Sequence, residues 1–146
     1  MKVTQTIQVM KQINPDKVLL LKVGEFFYQY GKDAYILAYL FDYKIKTIDN
    51  NIPFSGFPKS ALNKVITNLE NNKLSYFIVD KSLNYEVLEE QNFKKKNNYI
   101  EIYNKAHKYI LKKNKIEKIY EYLNANINQK NIQEKILKIE EILYEV

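Results

Sequence analysis

The chain has 146 residues, 46% of them apolar, which suffices for one packed domain, or one domain with an appendage, and excludes disorder throughout. Its net charge is +6, its basic residues other than His107 are all Lys, and it has no cysteine, which excludes disulfides, thiolate metal sites and a cysteine nucleophile. No apolar run approaches the ~20 residues that span a bilayer and the N-terminus lacks an apolar signal stretch, so a cytoplasmic setting without a membrane partner is expected.

Apolar residues at Ile7, Met10 and Ile13 predict a short helix over residues 4–13, stopped at Asn14-Pro15-Asp16 because proline disfavours helical geometry in the residue before it. Residues 18–23 form an apolar run broken only by Lys22, the pattern of a strand buried on both faces. Gly24-Glu25 is a turn, and residues 26–30, four of them aromatic, form the next strand. Asp33 is expected to cap a helix over residues 34–41, residues 44–48 to form a short strand, and Asp49-Asn50-Asn51 a turn. Residues 52–58 contain two prolines and a glycine, which rules out regular helix, and are expected as a loop that shapes the domain. Ser60 is expected to cap a helix striped by Leu62, Val65, Ile66 and Leu69. Strands at 74–79 and 85–88 would pair as a hairpin through residues 80–84.

Residues 91–98, with the triplet Lys94-Lys95-Lys96, read as a linker, and the pattern beyond them is helical. Tyr99, Ile102, Tyr103, Ala106 and Ile110 share one face, and Ile116, Ile119, Tyr120 and Leu123 another. Asn131 and Glu134 resemble a capping box opening a helix striped by Ile132, Ile136, Ile139 and Leu143. The expected fold class is therefore α+β, a mixed sheet flanked by helices over residues 1–92, with an all-helical, Lys-rich segment over 93–146. Residues 1–92 hold 11 Lys against 10 acids and residues 93–146 hold 12 against 7, so the positive field that favours a polyanion is expected in the tail. The other reading of those lysines is a solvated helix surface.

Nothing in the chain supports an enzyme. The lone histidine, His107, reads as a surface residue of the tail, and a zinc site would need mainly carboxylates. Three glycines make no phosphate cradle, and Glu89-Glu90 in a strand point to opposite faces. No cofactor or metal is expected.

Three stretches, in order, carry a resemblance. Residues 11–27 run from Lys11 through Pro15-Asp16 and a strand into Gly24-Glu25-Phe26-Phe27; Asp33-Ala34 follows, with Leu40 and Asp42 downstream; and Ile52-Pro53-Phe54-Ser55-Gly56-Phe57-Pro58 comes third. Together they resemble the N-terminal mismatch-recognition domain of the MutS DNA-repair family over about residues 5–90. The resemblance implies a mixed sheet flanked by helices, double-stranded DNA as partner, and a Gly-Asp-Phe-Tyr-Glu motif whose Phe stacks on a mispaired base while the Glu hydrogen-bonds to it. By position the wedge falls on Phe26, the tyrosine is Phe27, and the glutamate is replaced by Tyr28, which keeps a hydroxyl but no carboxylate. Lys22 falls where the family often has a basic residue and is a candidate phosphate contact; the other reading is a solvent-facing strand-edge lysine.

Two functions stay open on the sequence. One is a non-enzymatic module that binds mismatched or distorted duplex DNA through Phe26, Tyr28 and Lys22, with the helical tail as phosphate anchor or homo-oligomer contact. The other is a repurposed scaffold that binds a protein partner and no longer reads mismatches, with Tyr28 as the mark of lost base reading. Apart from either function, the other reading of Phe26, Tyr28 and Tyr30 is a core stripe. The connector, clamp and ATPase with which MutS proteins act on a mismatch have no counterpart in the helical tail, so no ATP-driven cycle is expected of the chain alone.

Overall fold

The computed structural model describes residues 2–94 and 98–145. In chain order the elements are α1 (Val3–Ile13), β1 (Val18–Val23), β2 (Phe26–Tyr30), α2 (Lys32–Phe41), β3 (Lys46–Ile48), β4 (Ile52–Pro58), α3 (Leu62–Asn71), β5 (Tyr76–Asp80), β6 (Glu86–Gln91), α4 (Asn98–Ala125) and α5 (Ile132–Tyr144). Six strands form one mixed sheet in the order β3-β4-β2-β1-β5-β6, with β1 and β5 parallel and every other pair antiparallel. This is the α+β sheet with flanking helices and an appended helical segment that the sequence predicts.

The apolar run of β1 is central because it is buried on both faces. Val18 and Leu20 point into the larger core, with Phe27, Phe57, Ile36 and Leu37 of α2, and Val65 and Leu69 of α3. Leu19 and Leu21 point the other way, with Phe77 and Val79 of β5, and are covered by Ile7 of α1 with Val3 and Met10 around it. Each fully buried aliphatic side chain contributes roughly 1.5–3 kcal/mol to folding. The edge strands β3 and β6 are exposed along their whole length. Glu89 and Glu90 do diverge: Glu89 accepts from the Tyr76 hydroxyl (3.5 Å), while Glu90 pairs with Lys17.

Two compact units result, residues 1–110 and 111–146. The division falls inside α4 rather than at the expected 92/93 boundary, because Tyr99, Ile102, Ala106 and Ile110 are buried. Tyr99 and Ile102 belong to the larger core. His107, expected as a surface residue, is half-buried against the rings of Tyr35 (5.9 Å) and Tyr103 (5.8 Å). In the second unit Ile119, Leu123 and Ile139 line a groove shared by the last turns of α4 and by α5, and Ile116, Ile119, Tyr120, Ile142 and Leu143 are exposed.

Four local expectations are corrected. Residues 52–58 are a strand, not a loop: β4 pairs with β2 from Phe54 to Pro58 and with β3 from Ile52 to Phe54. Its prolines are tolerated because Pro53 lies beside a three-residue edge strand and Pro58 is the last residue of β4. Asp33 does not cap α2. Gly31 holds that position at φ +62°, and the Asp33 carboxylate is buried. Ser60 does not cap α3, which is entered through a single 3-10 turn, Lys59–Ala61, whose backbone already satisfies the Leu62 N–H. Asn131 caps α5 with its backbone only, since at φ −97° and ψ 4° it lacks the extended conformation a side-chain cap requires. Lys95 and Lys96 of the expected linker lie outside the described residues.

Candidate nucleic-acid interface

The site begins at the turn between β1 and β2. Val23 pairs with Phe26, leaving only Gly24 and Glu25 between the strands. Gly24 has φ +60° and Glu25 does not share that sign, the pattern of a type II′ turn, whose twist suits a two-residue hairpin. A Cβ at Gly24 would meet nothing within 4 Å, so the glycine is required there by its backbone angle and not by space. The Lys59 N–H donates to the Glu25 carbonyl (2.8 Å), which ties the turn to the end of β4.

Alternation along β2 then sorts its residues. Phe27 and Gln29 are buried on the larger-core face. Phe27 stacks on Phe57 across the strand pair (5.5 Å), and the Ser55 hydroxyl donates to Gln29 Oε1 (3.1 Å). Phe26, Tyr28 and Tyr30 take the opposite face. Phe26 is 46% exposed, and Tyr28 and Tyr30 are half-buried, so they form no core stripe. α1 reaches Tyr30 but covers chiefly the β1–β5 half of that face. Burial, then the neighbouring Tyr28, raises the pKa of the Tyr30 hydroxyl above its ordinary value, so it is a neutral donor at physiological pH.

Register brings in residues that sequence reading missed. Tyr30 pairs with Phe54 and Tyr28 with Gly56, and Lys46 of β3 pairs with Phe54 from the other side. The Tyr28 ring lies over Gly56 so closely that a Cβ there would sit 2.8 Å from it. Phe26, Tyr28, Phe54 and Gly56 line one groove with Lys44 and Lys46, both exposed. Cross-strand register is not visible in any local motif, which is why Phe54, Lys44 and Lys46 escaped the sequence reading.

Lys22 does not join this group. It pairs with Phe27 and with Asp80, on the face opposite Phe26 and Tyr28, and its ammonium lies 3.9 Å from Asp80 Oδ2. The Asp80 carboxyl is held below the ordinary carboxylate range, first by the Ser82 hydroxyl and also by Lys22.

The first unit is fastened by a second polar centre. The buried Asp33 carboxylate accepts from the Leu19 N–H (3.0 Å), the Tyr99 hydroxyl (2.5 Å) and the Lys11 ammonium (3.1 Å). It joins α1, β1, α2 and α4. Among the described residues no group of three or more His, Cys, Asp or Glu could hold a metal ion, and no helix is long and apolar enough to cross a membrane.

No curated protein matches the chain. The family model for MutS domain I matches residues 2–96, which cover the sheet, its hairpin tip and the aromatic face, and the chain belongs to that family of DNA mismatch-recognition domains.

Proposed function

We propose that the chain is a non-enzymatic module that binds duplex DNA at mispaired or distorted steps, with Phe26 as an aromatic wedge. The observation that carries this reading is a large apolar ring, Phe26, standing exposed at the tip of a tied hairpin beside a lysine-lined groove. Inserting a ring between base pairs costs a few kcal/mol of lost stacking, least where pairing is already weak. Preference for damaged sites follows from that difference. Tyr28 stands where the family carries a glutamate; its hydroxyl can donate to or accept from a base edge but brings no charge. Lys44 and Lys46 are the better placed phosphate contacts. Lys22 would reach a phosphate only by leaving Asp80.

The test is binding of labelled homoduplex and single-mismatch duplex over a salt series. Affinity should fall as salt rises, and the mismatch should be preferred. Phe26→Ala should abolish that preference, a loss of ~1–3 kcal/mol for one stacked ring. Absence of any binding at low salt would defeat the proposal, and salt-dependent binding without a mismatch preference would reduce it to general polyanion attraction.

A second reading, association with a protein or another copy, is supported by the exposed Ile116, Ile119, Tyr120, Ile142 and Leu143 of the second unit. It concerns a different part of the chain and is compatible with the first.

A further inference from the structure

A mismatch wedge needs one ring, and this face carries four. Phe26 and Tyr28 have centroids 6.2 Å apart, Tyr28 and Phe54 6.3 Å, Phe54 and Tyr30 6.1 Å, so the rings form one continuous row across β2 and β4. α1 packs against Tyr30 at one end of the row, and Phe26, Tyr28 and Phe54 lie beyond the cluster that α1 covers. Gly56 lets the Tyr28 ring settle over β4 and so keeps the row unbroken.

We propose that this row is a stacking platform for several consecutive unpaired bases of single-stranded DNA. The proposal rests on the reading that this face meets DNA, and it names the substrate that occupies it.

Charge selects a nucleic acid over an apolar partner. The groove beside the row is lined by Lys44 and Lys46 and by no carboxylate. Neither lysine pairs with a carboxylate among the described residues. Spacing selects a single strand over an intact duplex. Successive bases within a B-form strand rise by about 3.4 Å, roughly half the interval between these rings. Bases that each rest on a ring of the row must therefore separate from one another, which an unpaired strand does readily and a paired one does not. Every base has a π-face, so such a platform tolerates any sequence. Lys46, opposite Phe54 on the same face, borders the row where a backbone would run.

The experiment compares the full chain binding a labelled twelve-nucleotide oligothymidine with its binding to an abasic strand of equal length and charge, at low salt. The base-bearing strand should bind at least tenfold more tightly. Phe54→Ala, which spares Phe26, should weaken oligothymidine binding by ~5- to 100-fold, with the loss confined to the strand that carries bases. The double variant Lys44→Glu/Lys46→Glu should weaken both strands and flatten the salt dependence. Both lysines are exposed, so this arm and the abasic comparison stay informative if Phe54→Ala fails to fold. Equal affinity for the two strands overturns the platform. So does a folded Phe54→Ala that binds oligothymidine as wild type does. If the mismatch preference of duplex binding nonetheless persists and depends on Phe26, the wedge stands alone; if neither duplex nor single strand binds, the DNA reading itself falls.

Discussion

Asp33 shows how far one side chain can differ from its local signal. An aspartate just ahead of a helical stretch reads as a cap, yet here the carboxylate turns inward and gathers three donors from three other elements. One of them, Tyr99, lies beyond the residues that match the family model, so α4 is anchored to the domain by a buried charge-assisted hydrogen bond. Tyr99→Phe should lower stability by ~1–3 kcal/mol, because Asp33 stays buried with one donor fewer. An unchanged denaturant midpoint would show that Lys11 and the Leu19 N–H suffice. The same contact has a pH signature. Burial first, and then the Asp33 charge, raises the pKa of the Tyr99 hydroxyl in the folded state. A group whose folded pKa is raised stabilises the fold fully below its unfolded value, about 10 for tyrosine. That contribution is lost as pH rises from there through the folded value. Thermal stability should therefore decline above about pH 10, and less steeply in Tyr99→Phe. Tyr76 and Tyr30 are shifted in the same direction, so part of the decline should survive the substitution. A wild-type midpoint that holds level through this range would contradict the argument.

Among the elements, those whose side chains are sorted by their own sequence were legible. The apolar run of β1, broken only by Lys22, and the alternating aromatics of β2 predicted both strands with the bounds they have in the structure. The periodicity that puts Tyr99, Ile102, Tyr103, Ala106 and Ile110 on one face holds in α4, but that this face is buried in the first unit was not visible in the sequence. β4 was not legible, because its two prolines and one glycine suppress strand propensity and only its position between β2 and β3 makes it a strand. The site inherited that blindness: Phe26 and Tyr28 were visible as a motif, whereas Phe54 and Lys46 reach them through pairing between distant segments. Burial sets how each strand responds to truncation. Leu20→Ala, in the doubly buried β1, should cost ~2–5 kcal/mol, since a cavity in the larger core cannot fully collapse. Leu88→Ala on the exposed β6 should cost less than about 1 kcal/mol, as surface substitutions usually do. Comparable losses at both sites in urea titration would mean that β6 is covered in solution.

For the whole molecule the charge distribution differs from what the tail suggested. Residues 1–110, the unit that holds the sheet, carry 16 Lys against 11 acids, and residues 111–146 carry 7 against 6. The excess lies at residues 93–110, which enter the first unit, so the second unit is nearly neutral and its outstanding property is apolar exposure. DNA affinity and self-association should therefore separate. The double variant Ile116→Ser/Ile142→Ser should remove any association seen by sedimentation equilibrium and leave the salt slope of DNA binding in place. A slope that falls with association would place DNA contacts on the second unit.

The hairpin tip has a consequence for which sites would be chosen. A two-residue turn fastened by the Lys59 N–H holds the backbone that carries Phe26. When a probe on a held backbone meets a duplex, the compliance must come chiefly from the DNA. Relative affinities would then rank duplexes by mechanical softness. Fully paired sites would be graded too, with TA and CA/TG steps ahead of stiff A-tracts. On that view a mismatch is the softest point on a continuous scale that the protein senses as flexibility.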